Sequence, residues 1–142
     1  MAFKIWENKA KKQLKPELFA KDAEALAIRI SGDASASRGT MNKTSQIRKF
    51  YDEVIRFQNE VMQNPNDFAN NLPYFKMLNA KAAYASGRKL ISEGFRGFIN
   101  EAVIEVNDYE DFKAFVGYFE AFMGYYKYYD EKNINERAGG RR

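Results

Sequence analysis

Phe112, Phe115, Phe119, Phe122, Tyr126 and Tyr129 follow one another at alternating spacings of three and four. That rhythm is one face of an α-helix; a strand would put every second residue on one side. The row predicts a long helix from about Tyr109 to Glu131, with Asp108 as its cap. Each ring carries about 150–250 Å² of surface to remove from water. Other helices must therefore cover the row, which makes it the centre of a core.

The rest of the chain supplies that cover. Pro16 opens a first helix, where its missing N–H costs nothing, and Gly32 ends it. Leu18, Phe19, Ala25, Leu26 and Ile30 form its apolar face, and Gly32 to Gly39 reads as a loop. A second helix runs from Thr44 to Gln63, capped by Thr44 or Ser45, with Ile47, Phe50, Val54, Phe57 and Val61 inward. Asn64 to Asp67 is a turn, and Asp67 to Asn71 fits one short helical turn. A third helix runs from Leu72-Pro73 to about Ser86, with Gly87 as a left-handed stop. Its inner side is Phe75, Leu78, Ala82 and Ala85. A fourth, from about Leu90 to Val106, turns Ile91, Phe95, Phe98, Ile99 and Val103 inward. No strand competes with this reading and no internal repeat is visible. The expected fold is all-α, a single-domain bundle of about five helices over residues 16–131. A basic N-terminal segment, 1–15, and a basic C-terminal tail, 132–142, flank it.

The chain of 142 residues has no Cys and no His. That removes disulfides, thiol nucleophiles, the usual zinc sites and His-dependent acid–base catalysis. Acidic pairs occur at Asp52-Glu53, Glu110-Asp111 and Asp130-Glu131, but neighbours on a helix point about 100° apart and share no proton site. No catalytic residue, metal site or cofactor is expected. No apolar run approaches the ~18 residues of a membrane span, and Met1 to Trp6 lacks the apolar core of a signal peptide. A cytoplasmic location follows as the expectation.

Net charge is +4 and unevenly spread. Residues 1–15 hold five lysines against one Glu, and the tail holds Lys132, Arg137, Arg141 and Arg142 against Glu136. The centre is slightly acidic. Basic ends either bind polyanions through counterion release or merely solubilise. Within the centre, Arg48, Lys49 and Arg56 lie on the second helix, and Lys76, Lys81, Arg88 and Lys89 on or just after the third. Lys49 and Arg56 are seven apart and share a face. Arg48, Ile55 and Met62 form another row, mixed apolar and cationic, suited to a partner subunit. Arg88 has two open uses: phosphate contact, or bonding to helix-end carbonyls after Gly87. On the last helix the central row is core, whereas Tyr118, Tyr125 and Tyr128 lie off it and suggest a second contact surface, of protein more than RNA.

Three stretches in order carry a further reading. They are Thr44-Ser45-Gln46-Ile47-Arg48-Lys49-Phe50-Tyr51, Ala82-Ala83-Tyr84-Ala85-Ser86-Gly87-Arg88, and Tyr118-Phe119-Glu120-Ala121-Phe122-Met123-Gly124-Tyr125-Tyr126-Lys127-Tyr128-Tyr129. Over roughly residues 40 to 131 the chain resembles the small subunit of type III-A CRISPR–Cas effector complexes, the Csm complexes. The resemblance implies a non-catalytic, RNA-binding subunit of an antiviral ribonucleoprotein. Copies would stack along the duplex of guide RNA and target RNA, with cleavage and cyclase activities left to other subunits. It singles out Arg48, Lys49 and Arg88 for RNA, joined by Arg56, Lys81 and Lys89 from the same helices. Ile55, Met62, Tyr118 and Tyr125 are the candidate subunit contacts, including self-association as a dimer when free. The alternative is a helical protein–protein adaptor or homodimer with no RNA role.

Overall fold

The structure is a computed structural model and describes residues 3–139. It is an all-α bundle. Its helices are α1 (Ala23–Ala36), α2 (Thr44–Gln63), α3 (Phe68–Lys76), α4 (Leu78–Gly87), α5 (Glu93–Glu105) and α6 (Tyr109–Gly139). As the spacing predicted, α6 is the axis of the core. Phe112, Phe115, Phe119, Phe122 and Tyr126 are all fully buried. Phe119 alone meets Phe98, Phe115 and Phe122 at ring-centroid distances of 5.8, 5.7 and 5.8 Å. Such ring pairs contribute about 0.5–1.5 kcal/mol each beyond area burial. α1 packs most extensively on α6, α2 also lies against α6, and α4 packs on α5. Asp108 caps α6, its Oδ1 accepting from the Asp111 N–H at 2.8 Å.

Several boundaries differ from the sequence reading, each for a local reason. Pro16 is followed by a π-type turn at Leu18–Asp22, and α1 starts only at Ala23. The extra residue in that turn shifts the helical phase. Leu26 and Ile30 stay inward, but Phe19 and Ala25 turn out and Ala23, Ala27 and Ala34 take their place. Phe19 lies over Gly117 of α6, where an added Cβ would come within 3.0 Å of its ring.

Gly32 does not end α1. The helix passes through it to Ala36 and closes at Arg38, in the left-handed region at φ 60°. Gly87 likewise is not the left-handed stop of α4; Lys89 is, at φ 61°. In both places two backbone bonds seal the end: Arg38 N–H to Ser35 and Gly39 N–H to Ala34, then Lys89 N–H to Ser86 and Leu90 N–H to Ala85. These bonds offset the ordinary reluctance of a side-chain-bearing residue to go left-handed.

The third helix is two. α3 begins at Phe68, with Pro73 inside it, and Met77 separates it from α4. Neither Thr44 nor Ser45 caps α2; the Thr44 hydroxyl donates to Asp130 on α6 at 2.9 Å. α5 starts at Glu93, capped by Ser92, whose Oγ accepts from the Phe95 N–H. α6 runs past Glu131 to Gly139 and so takes in the first part of the basic tail; Arg141 and Arg142 lie outside the described residues.

The N-terminal segment holds a two-stranded antiparallel ribbon, β1 (Trp6–Asn8) with β2 (Gln13–Leu14), where no strand was expected. Phe3 and Ile5 enter the core, and Phe3 packs on Phe98 and Tyr118 at 5.9 and 4.7 Å. The Trp6 indole N–H donates to buried Asp111 at 2.7 Å. Lys9 pairs with Asp108 and Asp111 at 2.8 and 3.0 Å. Residues 3–15 are thus strapped to the start of α6.

Candidate RNA-binding and subunit surfaces

The buried stripe of α2 divides the helix surface into two edges. Gln46, Lys49, Glu53, Arg56 and Glu60 lie on the edge toward α4; Arg48, Tyr51, Ile55 and Met62 lie on the other. Opposite the first edge stand Lys81, Tyr84, Ala85 and Arg88 of α4 and its end. With Gln46, Lys49 and Glu53 they line a groove of about 410 Å³ with a floor of Phe50, Leu78 and Leu90. The groove brings Lys49, Lys81 and Arg88 together, and Arg56 joins them one turn along, at an adjoining hollow lined also by Tyr74, Met77 and Lys81. All four cations are exposed.

Their environments differ. Arg56 is paired with Glu53 and with Glu60, the latter at 3.2 Å, and Lys81 reaches Glu53 at 2.6 Å. The Lys81 ammonium, then the Arg56 guanidinium, holds the Glu53 carboxyl below its ordinary range. Among the described residues, no carboxylate pairs with Lys49, Arg88 or Lys89. The Arg88 side chain does not bond the helix-end carbonyls of Tyr84, Ser86 and Ala85, which accept from the backbone N–H groups of Arg88, Lys89 and Leu90. Its guanidinium lies 5.7 Å from the Tyr84 ring centroid. Lys89 is exposed at the left-handed position just beyond. Lys76 is spent internally, donating to the Val103 carbonyl at 2.7 Å. Tyr84, 67% exposed on the groove rim, is a functional candidate that the reading of single residues passed over. The spacing Tyr74, Met77, Lys81, Tyr84, Arg88, at alternating steps of three and four, carried that signal in the sequence.

Arg48 is not in the groove. It stands on the far edge of α2, near Tyr51 and Glu120; burial, then Glu120, raises the Tyr51 hydroxyl pKa while Arg48 lowers it. Ile55, half-buried, and Met62, exposed, continue that edge.

The tyrosines of α6 separate. Tyr118 is only 5% exposed. It packs on Phe3 and Phe98 and donates to the Asp22 carbonyl at 3.3 Å, and burial pushes its hydroxyl pKa well up, with Asp22 adding. It is covered by this chain's own α1 and N-terminal segment and is therefore not on a contact surface. Tyr125 is half-buried and lines a shallow groove between α1 and α6 with Glu24, Ala121, Gly124, Tyr128 and Tyr129. That groove shares no residue with the one between α2 and α4.

The family described as Csm2 Type III-A matches residues 13–132, most of the chain. The chain belongs to this family. It is a small subunit of the type III-A CRISPR–Cas effector complex, the Csm complex. Membership places it in a multi-subunit assembly of antiviral defence. The match extends beyond the three resembling stretches to include β2 and α1, and leaves out Phe3, Ile5 and Trp6. No curated protein and no solved structure matches the chain. Among the described residues no helix is long and apolar enough to cross a membrane, and no group of three or more acidic side chains is placed to hold a metal.

Proposed function

We propose that this Csm2-family subunit is a non-catalytic brace that holds the guide–target RNA duplex by its phosphates, and that copies of it stack head to tail along that duplex. The observation that carries the reading is the groove between α2 and α4, where Lys49, Lys81 and Arg88 converge with Arg56 beside them. Contacts to phosphate position a partner without reading bases, which suits a subunit that must accept any guide sequence. Arg48, Ile55, Met62 and Tyr125 lie on other surfaces and serve contacts with neighbouring subunits. In the free protein the same apolar surface supports weak self-association.

The test is a variant carrying Lys49→Ala and Arg88→Ala. Neither side chain pairs with a carboxylate, so stability should change by no more than about 0.5 kcal/mol per site. Loss of two phosphate contacts should weaken duplex binding equally for unrelated sequences and flatten the log–log salt slope by up to about 1.8. Unchanged affinity and slope would remove the RNA role and leave the adaptor reading. Stacking is checked by subunit stoichiometry in the purified complex; a single copy would refute it.

A further inference from the structure

Glu53 of α2 faces α4 and holds two of the candidate RNA cations at once. Its Oε1 receives the Lys81 ammonium at 2.6 Å across the groove and the Arg56 guanidinium from the next turn of α2. Glu60 takes the other terminal nitrogen of Arg56 at 3.2 Å. Lys49 and Arg88, in the same groove, have no such partner among the described residues. Ion pairs of this exposure contribute little to folding. With Glu60 counted, two carboxylates balance Lys81 and Arg56 in the unbound chain, so the net positive charge of the groove comes from Lys49 and Arg88. A phosphate oxygen offers Lys81 and Arg56 the same kind of acceptor that Glu53 does.

We infer that Glu53 is an internal competitor of the RNA phosphates: it occupies Lys81 and Arg56 in the unbound chain and so sets the affinity of the groove. The inference rests on the proposed reading of that groove. It has a physical consequence for assembly. A subunit whose cations are half-occupied binds RNA weakly alone. It becomes tight only when several copies lie on one duplex, because their contacts then act at high effective concentration. Stray RNA would not hold a single copy.

The experiment compares wild-type protein, Glu53→Gln, Glu17→Gln and the Lys49→Ala/Arg88→Ala variant, free and in the complex. Each is titrated with an RNA duplex and a single-stranded RNA of the same length over a range of salt. Glu17 is exposed and pairs with no cation among the described residues, so it controls for the bare loss of one negative charge. Glu53→Gln keeps the side-chain shape and should melt within a few degrees of wild type. At about 0.1 M salt it should bind duplex about five- to fiftyfold tighter, with a slope steeper by about one to two units. Glu17→Gln should change affinity by less than about twofold. A Glu53→Gln protein that binds like wild type with the same slope overturns the inference. So does one that binds more weakly and melts much lower, because Glu53 would then be holding α2 to α4. If the Lys49→Ala/Arg88→Ala variant binds as wild type does, the groove reading itself fails. If that variant is weakened while Glu53→Gln is unchanged, the groove stands and the competitor does not.

Discussion

Asn42 offers the most direct test of what fixes the groove. It is fully buried, at φ 58°, two residues before α2. Its side-chain amide donates to Ser92 Oγ at 2.9 Å and to the Ile30 carbonyl at 3.3 Å, and its Oδ1 accepts from the Ser92 N–H at 2.8 Å. Its backbone N–H donates to Leu90 at 3.0 Å, and its carbonyl accepts from Tyr126. One residue thus joins the start of α2, which carries Lys49, to the turn after α4, which carries Arg88 and Lys89. Replacing Asn42 with Ala deletes three side-chain bonds, at about 1 kcal/mol each, and strands the buried Ser92 N–H. Ala is also less tolerant of a left-handed backbone, by about 1 kcal/mol. The expected loss is about 4 kcal/mol. Asn42→Gly loses the same bonds without the backbone strain and should cost about 1 kcal/mol less. With a urea slope of about 2 kcal/mol/M for a chain of this size, the Ala variant's midpoint should fall by about 2 M at unchanged slope. Asn59→Ala, on the exposed side of α2, should stay within about 0.5 kcal/mol. A loss below about 1.5 kcal/mol for Asn42→Ala would refute the network argument. Equal losses for Ala and Gly would refute the backbone part.

Two further variants address the other departures from the sequence reading. Trp6→Phe removes the indole bond to buried Asp111 and should lower stability by about 1.5–2 kcal/mol in urea melts, with faster proteolysis inside the first 15 residues; an unchanged melt and cleavage pattern would mean the strap is held by Phe3 and Ile5 alone. Lys89→Gly relieves the left-handed strain and should raise stability by about 0.5–1 kcal/mol, and if Lys89 touches RNA the same variant binds RNA more weakly; a destabilised Lys89→Gly would show that the lysine side chain itself seals the helix end.

The fold was legible where one period runs long enough to dominate. Phe112 to Tyr126 gave the core axis, and Ile47, Phe50, Val54 and Val61 gave the buried side of α2, because burying a stripe overrides local preference. It was illegible where a short-range device resets the phase. The π-type turn before Ala23 rotates Phe19 and Ala25 outward, and no propensity marks it. Gly32 advertises a helix end that α1 ignores, running on to Ala36; α4 does end at Gly87, but the left-handed residue that closes it is Lys89, where the paired backbone bonds form. The ribbon is too short and too basic to show a period of two; Phe3 and Trp6 hold it by contacts with α6 that are remote in sequence. Tyr118 sits one step off the aromatic row. The covered arc of α6 is wider than that row, because α1 and Phe3 close over it. In the candidate site, the shared edge of Lys49 and Arg56 follows from spacing alone. That Lys81 and Arg88 stand opposite them is a matter of tertiary packing, and Glu53's hold on Lys81 spans 28 residues of sequence.

The division of α2 bears on how copies of the subunit would line up. Head-to-tail stacking needs two different surfaces on each copy, whereas a two-fold dimer needs one surface that matches itself. α2 presents Lys49, Glu53 and Arg56 toward α4 and Arg48, Ile55 and Met62 on its other edge. A phosphate backbone lying in the first groove therefore leaves the second edge, and the α1–α6 groove around Tyr125, open to neighbours on either side. Each such neighbour contact would be small and mixed in polarity, hence weak on its own. RNA in the groove of every copy would add to it without competing for the same residues. On the proposed reading, assembly and RNA binding would reinforce each other through effective concentration, with no conformational change required of the bundle.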